Sequence, residues 1–333
     1  MRNDGRVFVV GALLAAALLL LFILNMAIGS VKIPLSQILS PSGAYREILY
    51  IIRLPEGVGA IIVGVDLAVA GAVMQGLFRN PLADPYITGT GAGAVLGSIL
   101  GLAAGLAYAQ LRGVAIMLQP VLGFAGAMAA TLMVIVFSRR GNWLTLVLAG
   151  ISISILLSAL VTLADSYILS RSQSSFSIFL LLFGSLESLT WANDYIMAAA
   201  SIPVLAYIML SGRKLNLIMT GDEVSASSGL RPHRFRTEML VASGMLTSLA
   251  LSFTGIIGFV GLIAPHLARF TLKSSNNVQV LPICALIGAS LLLFANFTSK
   301  IIVPESVVPI TAVTSLIGAP VLVYLIEKGS RHG

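Results

Sequence analysis

Long uncharged stretches separated by short polar connectors dominate the chain. Residues 7–28 and 281–299 carry no charge over the roughly 18 or more residues that an α-helix needs to cross a hydrocarbon core. Breaking the sequence at charge clusters and at Pro, Gly and Asn turns gives ten candidate spans: 7–28, 54–76, 86–105, 114–137, 146–168, 192–211, 237–252, 255–271, 280–299 and 309–327. Arg2 and Arg6 ahead of the first span, with Ala27 and Gly29 at small-x-small spacing, also fit a cleaved secretory signal. The run exceeds the about 7–15 residues usual for such a signal, so a retained first helix is the better reading.

Composition sharpens this pattern. The chain is 57% hydrophobic and 10% charged, with a mean hydropathy of +0.99; a soluble domain carries about a quarter charged residues. This balance leaves too little polar surface for water, so the expected fold is an all-α integral membrane protein of about ten transmembrane helices. The 32 glycines suit close helix packing, because lipid gives no hydrophobic drive for one helix to prefer another.

Charge then sets topology. The net charge of +7 does not point to nucleic acid, because the basic residues are scattered through connectors. With the amino terminus inside, 14 of the 20 Lys and Arg fall in the cytoplasm, and six (Lys32, Arg46, Arg53, Arg112, Arg171 and Lys300) fall outside. That bias favours an even number of spans with both termini cytoplasmic. The longest connector, residues 212–236, is basic but also carries Leu215, Leu217, Ile218 and Leu230. It reads as one or two short helices on the membrane face, with a solvated loop as the alternative.

Candidate chemistry is sparse. The sequence has no phosphate-cradling Gly-rich loop with Lys, no metalloprotease His pair and no serine-nucleophile elbow. ATP would therefore have to be handled by another subunit. Cys284 is the single cysteine and excludes a multi-cysteine metal site. His266 reads as a hydrogen-bonded cap or loop residue.

Four motifs in order carry a family resemblance. The first is Arg53-Leu54-Pro55, followed by Gly64, Gly71 and Gln75 and then Arg79-Asn80-Pro81-Leu82-Ala83-Asp84-Pro85. Leu215-Asn216-Leu217 then precedes Gly221-Asp222-Glu223 and Gly229-Leu230. The third runs from Gly255 through Gly258-Phe259-Val260-Gly261 to Pro265-His266 and Arg269; the fourth is Pro309-Ile310 with Thr314 and Gly318-Ala319-Pro320. Together they resemble the FecCD-type permeases, the membrane subunits of ABC importers for cobalamin, haem, iron siderophores and some oxyanions.

The resemblance implies two copies of a ten-helix chain in two inverted five-helix halves. It also implies two ATP-binding cassette subunits holding ATP and Mg, an extracytoplasmic substrate-binding protein, and no cofactor in this chain. Gly221, Asp222, Glu223, Ser225, Gly229 and Leu230 would form the coupling segment in the ATPase cleft; an interfacial helix without a partner is the alternative. Asn80, Pro81 and Leu82 match a cytoplasmic gate, with Asn142 and Trp143 beside a second constriction, although Trp143 departs from the small polar residues usual there. Arg53 and Lys300 keep positions that dock the binding protein. Glu56 stands where an arginine is usual, which would call for a basic residue on that partner.

Ser154, Ser158, Thr162 and Asp165 recur on one helix face and suit either a pathway wall or helix packing. Asp66 is the one carboxylate expected deep in a span, where a charge costs at least about 2.5–3.5 kcal/mol, so it should face the bundle interior or water. Two rival readings stay open: an ion-gradient-driven transporter using Asp66, and a membrane-embedded enzyme. Thr311 replaces a usual Gly and Asn296 a frequent Asp, which leaves the local geometry there open.

Overall fold

The computed structural model describes residues 2–107, 112–138, 143–169, 181–302 and 308–330, and every regular element among them is helical. The first half comprises α1 (Arg2–Ala27), α2 (Leu35–Leu39), α3 (Gly43–Glu47), a π-helical stretch (Ile48–Arg53), α4 (Leu54–Phe78), a 3-10 turn (Pro85–Thr88), α5 (Thr90–Ala107), α6 (Arg112–Ser138) and α7 (Trp143–Leu169). The second half comprises α8 (Trp191–Leu210), α9 (Gly212–Thr220), α10 (Asp222–Ser227), α11 (Pro232–Thr254), α12 (Val260–Leu272), α13 (Asn277–Ile302) and α14 (Ile310–Ser330). Each expected span carries a helix, and the long connector folds as α9 and α10.

Six of these helical stretches are long and apolar enough to cross a membrane: Gly5–Ala27, Gly43–Phe78, Leu118–Ser138, Leu144–Ser166, Trp191–Leu210 and Asn277–Ile302. Helices α5, α12 and α14 supply shorter apolar pieces. Because α12 has 13 residues it rises only about 20 Å, short of a hydrocarbon core of about 30 Å.

The span expected at 255–271 therefore forms a helix only from Val260. Gly255 (φ 74°) ends α11, and Phe259 (φ 68°) turns the chain into α12. Backbone without helical bonds is tolerated at membrane depth only where the protein satisfies it. Here Ile256 N–H donates to Leu181 O (3.1 Å) and Ser185 N–H to Thr254 O (2.8 Å). The Thr311 hydroxyl donates to Ile256 O (2.7 Å) and accepts from Gly258 N–H (3.3 Å), so the departure from Gly has a local purpose.

Helix α4 is the centre of the bundle. Every residue from Asp66 to Leu77 is buried, as expected of a helix that is apolar all round. Two of its glycines meet other helices backbone to backbone: a Cβ on Gly64 would sit 2.5 Å from Gly288 O in α13, and one on Gly71 would sit 1.8 Å from Gly261 O in α12. The amide of Asn296 donates to Asn25 Oδ1 (3.0 Å), and Asn25 Nδ2 reaches Leu293 O (3.0 Å). A neutral amide pair thus joins α1 to α13 in the interior, where an aspartate would lack the donor that Asn25 Oδ1 needs.

Candidate coupling and gate site at one end of the bundle

At one end of the bundle the chain leaves α4 through Arg79, which adopts a left-handed conformation (φ 48°) as the helix stops. The next residues form a braced turn. Asn80 Oδ1 accepts from Leu82 N–H (2.9 Å), and Asp84 Oδ1 accepts from Tyr86 N–H (2.8 Å) at the start of the 3-10 turn. The Tyr86 hydroxyl donates to Ile257 O (2.6 Å), and His266 Nε2 lies 2.8 Å from Pro81 O. His266 is therefore no cap or loop residue: it sits inside α12 and fastens that helix to the turn. Gln75 completes the joint, donating to Leu262 O (3.0 Å) and accepting from Arg269.

Burial pushes the Asp84 carboxyl up to about 6, with the Tyr86 N–H opposing. A carboxyl whose pKa is raised in the fold makes the fold bind more protons than the unfolded chain, so stability falls as pH rises from about 4 to about 6 and levels off above. Asp84→Asn keeps the acceptor and removes the charge. Thermal unfolding in detergent between pH 4 and pH 7 is expected to show a flatter profile for this variant, with a gain of up to about 2–3 kcal/mol at neutral pH.

The segment expected to couple, residues 221–230, lies against the same turn. Ser225 is fully buried, its hydroxyl 2.6 Å from Leu217 O and 2.5 Å from Gly221 O, so it stitches α10 to α9. Val224 is 50% exposed, and Glu223 and Gly229 are exposed with it, while Leu230 is half-buried. The Asp222 carboxylate receives both Nη groups of Arg236 (2.8 and 2.6 Å) and Arg79 Nη2 (3.2 Å). Arg79 also caps α9 through Ile218 O (2.7 and 3.2 Å). The turn after α4, the start of α10 and α11 thus share one carboxylate, at the wall of an open cleft of about 1060 Å³. Arg79 and Arg236 were not singled out from the sequence as site residues. Arg79 heads the gate motif, but nothing local says which acid it meets.

The remaining expected residues are spread elsewhere. Asn142 lies outside the described residues, and Trp143 opens α7 with its side chain outside them too. On α7, Ser154 is half-buried against the Gly89 turn and Asp165 is half-buried, whereas Ser158 and Thr162 are exposed beside a broad apolar face. The Thr162 hydroxyl donates to Ser158 O (3.0 Å), back into its own helix. Asp66 faces the interior: it is fully buried, and Ser201 of α8 donates to its Oδ2 (2.5 Å).

The residues expected to dock a binding protein sit at the opposite end and have partners within the chain. Arg53 is 4% exposed and donates to the carbonyls of Met26 and Val31. Lys300 Nζ pairs with Glu56 Oε2 at 2.8 Å, so the base that Glu56 called for is supplied by this chain. Beside the pair is exposed Glu187, whose carboxyl is pushed up by burial and by Glu56 while Lys300 pulls it back.

The description "FecCD transport family" matches residues 17–328. The vitamin B12 import system permease protein BtuC of Shigella boydii is 34% identical over 319 residues, covering 96% of this chain and 94% of its own length. A Methanocaldococcus jannaschii protein assigned as an ABC transporter permease is 34% identical over 332 residues, with the same coverages of 96% and 94%. A solved inward-facing structure of an ABC transporter assigned to the metal-chelate type superposes with a TM-score of 0.85 at 28% identity, covering 95% of this chain and 97% of that one. The structure of PsaBC from Streptococcus pneumoniae in complex with Fab shares the fold at a TM-score of 0.54 and 18% identity, over 80% of this chain and 88% of that one. A match over nearly the whole chain, with the motifs in order and folded onto one another, makes this protein a member of the FecCD transport family.

Proposed function

We propose that the chain carries a metal chelate or corrinoid, such as an iron siderophore, haem or cobalamin, into the cytoplasm by alternating access. As a FecCD-family protein it is the permease subunit of an ABC importer. ATP and Mg would act in two partner cassette subunits, and a second copy of the chain would complete the path. An extracytoplasmic binding protein would deliver the cargo. The observation that carries the reading is the Asp222 carboxylate, shared between Arg79 of the gate turn and Arg236 of α11. A push on α10 by a nucleotide-binding partner would be felt directly at Asn80, Pro81 and Leu82. Relatives assigned to vitamin B12 and to metal chelates support a bulky cargo.

Reconstitution in liposomes tests this. Uptake is expected to survive collapse of proton and sodium gradients and to stop with an ATPase-dead partner; the reverse pattern would transfer the role to an ion gradient. Asp66→Asn discriminates further, because Asp66 is buried against Ser201 and does not line the cleft of about 1060 Å³. Uptake by this variant is expected to stay within about twofold of wild type, as for a substitution that keeps its hydrogen bond.

Gly229 offers a second probe. Its φ of 81° disfavours a side chain, but no atom lies within 4 Å of where a Cβ would be. Gly229→Trp therefore costs about 1–2 kcal/mol of backbone strain, with its Cβ in open space at an exposed position. We expect folded protein whose cargo no longer stimulates partner ATP hydrolysis, measured in the same liposomes; unimpaired stimulation would remove the coupling role from this segment. At the opposite end, the Glu56–Lys300 pair and Arg53 would hold the surface on which the binding protein docks, with Glu187 as an exposed charge.

A further inference from the structure

On the coupling side of the bundle, α8 and α11 diverge to leave a groove of about 780 Å³. Its walls are apolar: Pro203 and Val204 from α8, Val241, Ala242 and Met245 from α11. Its edge toward α9 is polar. There Glu238 accepts from Arg234 Nε (2.8 Å) and from the Tyr207 hydroxyl (2.8 Å). These bonds engage both oxygens of the one carboxylate at the edge. They also leave the Nη groups of Arg234 for another acceptor, on a side chain that is 72% exposed. Lys214 acts on the same carboxylate from α9, and His233 is exposed beside it. Arg234 in the groove lining and Lys214 within electrostatic reach from α9 therefore set two positive charges against the one negative charge at the edge of an apolar slot.

We propose that this groove binds one anionic phospholipid, its phosphate at Arg234 and Lys214 and an acyl chain between Pro203, Val204, Val241 and Met245. The physical reason is complementarity at both ends. An acyl chain covers apolar walls that water cannot, and a net negative headgroup meets a net positive edge, which a zwitterionic headgroup matches less well. Basic pockets between membrane helices on the inner leaflet are suited to such headgroups for the same reason. The inference rests on the membrane-embedded reading and on the coupling end facing the cytoplasm, but not on ATP coupling. Loss of ATP-driven uptake with lipid selectivity intact would count against the transport reading alone.

The experiment uses the full chain, purified and re-equilibrated with equal amounts of palmitoyl-oleoyl phosphatidylglycerol and the matching phosphatidylcholine, with retained lipid counted by native mass spectrometry. We expect about a fivefold preference for the glycerol lipid, the effect of one net positive charge near the surface. Arg234→Gln with Lys214→Gln is expected to abolish the preference while lipid is still retained, and Val241→Trp, filling the slot, to abolish retention. A photoactivatable phosphatidylglycerol on the unaltered chain gives a readout that needs no variant, with crosslinks expected in α8 and α11. Equal retention of both lipids by wild type, unchanged retention in Val241→Trp, crosslinks confined to other helices, or displacement by millimolar glycerol phosphate would each overturn the proposal. The last outcome would leave a simple phosphate site, and crosslinks from the groove to a second copy would make it an interface between copies.

Discussion

Asp222→Ala is expected to cut cargo-stimulated ATP hydrolysis and uptake at least about tenfold, within the 5- to 150-fold that coupling energies between sites commonly span. The same variant should melt almost where wild type does. The carboxylate is 53% exposed, Arg79 42% and Arg236 32%, and solvent-facing ion pairs contribute about 0.2–1 kcal/mol each, with the bidentate Arg236 pair at the upper end. The split between intact stability and lost coupling identifies a transmitting contact as opposed to a structural one. Arg79→Ala should be the more damaging single change, because it also gives up two bonds to Ile218 O and so loosens α9. A double-mutant cycle between positions 79 and 222 reads the link itself: full cargo stimulation in Asp222→Ala, or strict additivity in the cycle, would sink it.

The second large effect is on stability. Gly71→Ala places a methyl group where Gly261 O lies 1.8 Å away, and both partners are backbone, so neither can swing aside. Overpacking of a tight core costs about 1–3 kcal/mol and occasionally more, and with helix backbones as the obstacle the upper end or beyond is expected. Gly76→Ala, one and a half turns on in α4, is the control. Its Cβ would meet Met219 Sδ at 3.8 Å and Leu215 Cδ2 at 3.9 Å, ordinary contacts. That change is expected to be neutral or stabilising by up to about 1 kcal/mol through helix propensity. Thermal unfolding of both variants in detergent decides the matter: equal melting would mean that α4 and α12 do not approach as closely as described.

Both effects arise at the same joint. Gly71 and Gly261 bring α12 against α4, and this approach lets His266 reach Pro81 O and Arg269 reach Gln75. The short length of α12 belongs to the same design, since the broken backbone at 255–259 positions Ile257 O for the Tyr86 hydroxyl. Braced from α12 on one side and from Asp222 on the other, the turn proposed as a gate is held by contacts that a movement of α10 would alter.

The hydrophobic pattern by itself determined that this chain resides in lipid, and each stretch it marked carries a helix, though the eighth starts later than expected. It also placed the amphipathic connector that folds as α9 and α10. These follow from transfer free energies, which add along a chain irrespective of what packs on what. Motif order likewise picked out the turn at residues 79–85 and the segment at 221–230, which the fold packs against each other. Only the tertiary structure decided which charges meet: Arg79 with Asp222 across 143 residues, and Lys300 with Glu56 across 244. It alone showed that α12 starts late, that Asp66 turns to Ser201, and that Asn296 answers Asn25. Such pairings depend on helix register and on the angstrom-scale approach of backbones. Those are properties of the packed whole, and no local window of residues contains them.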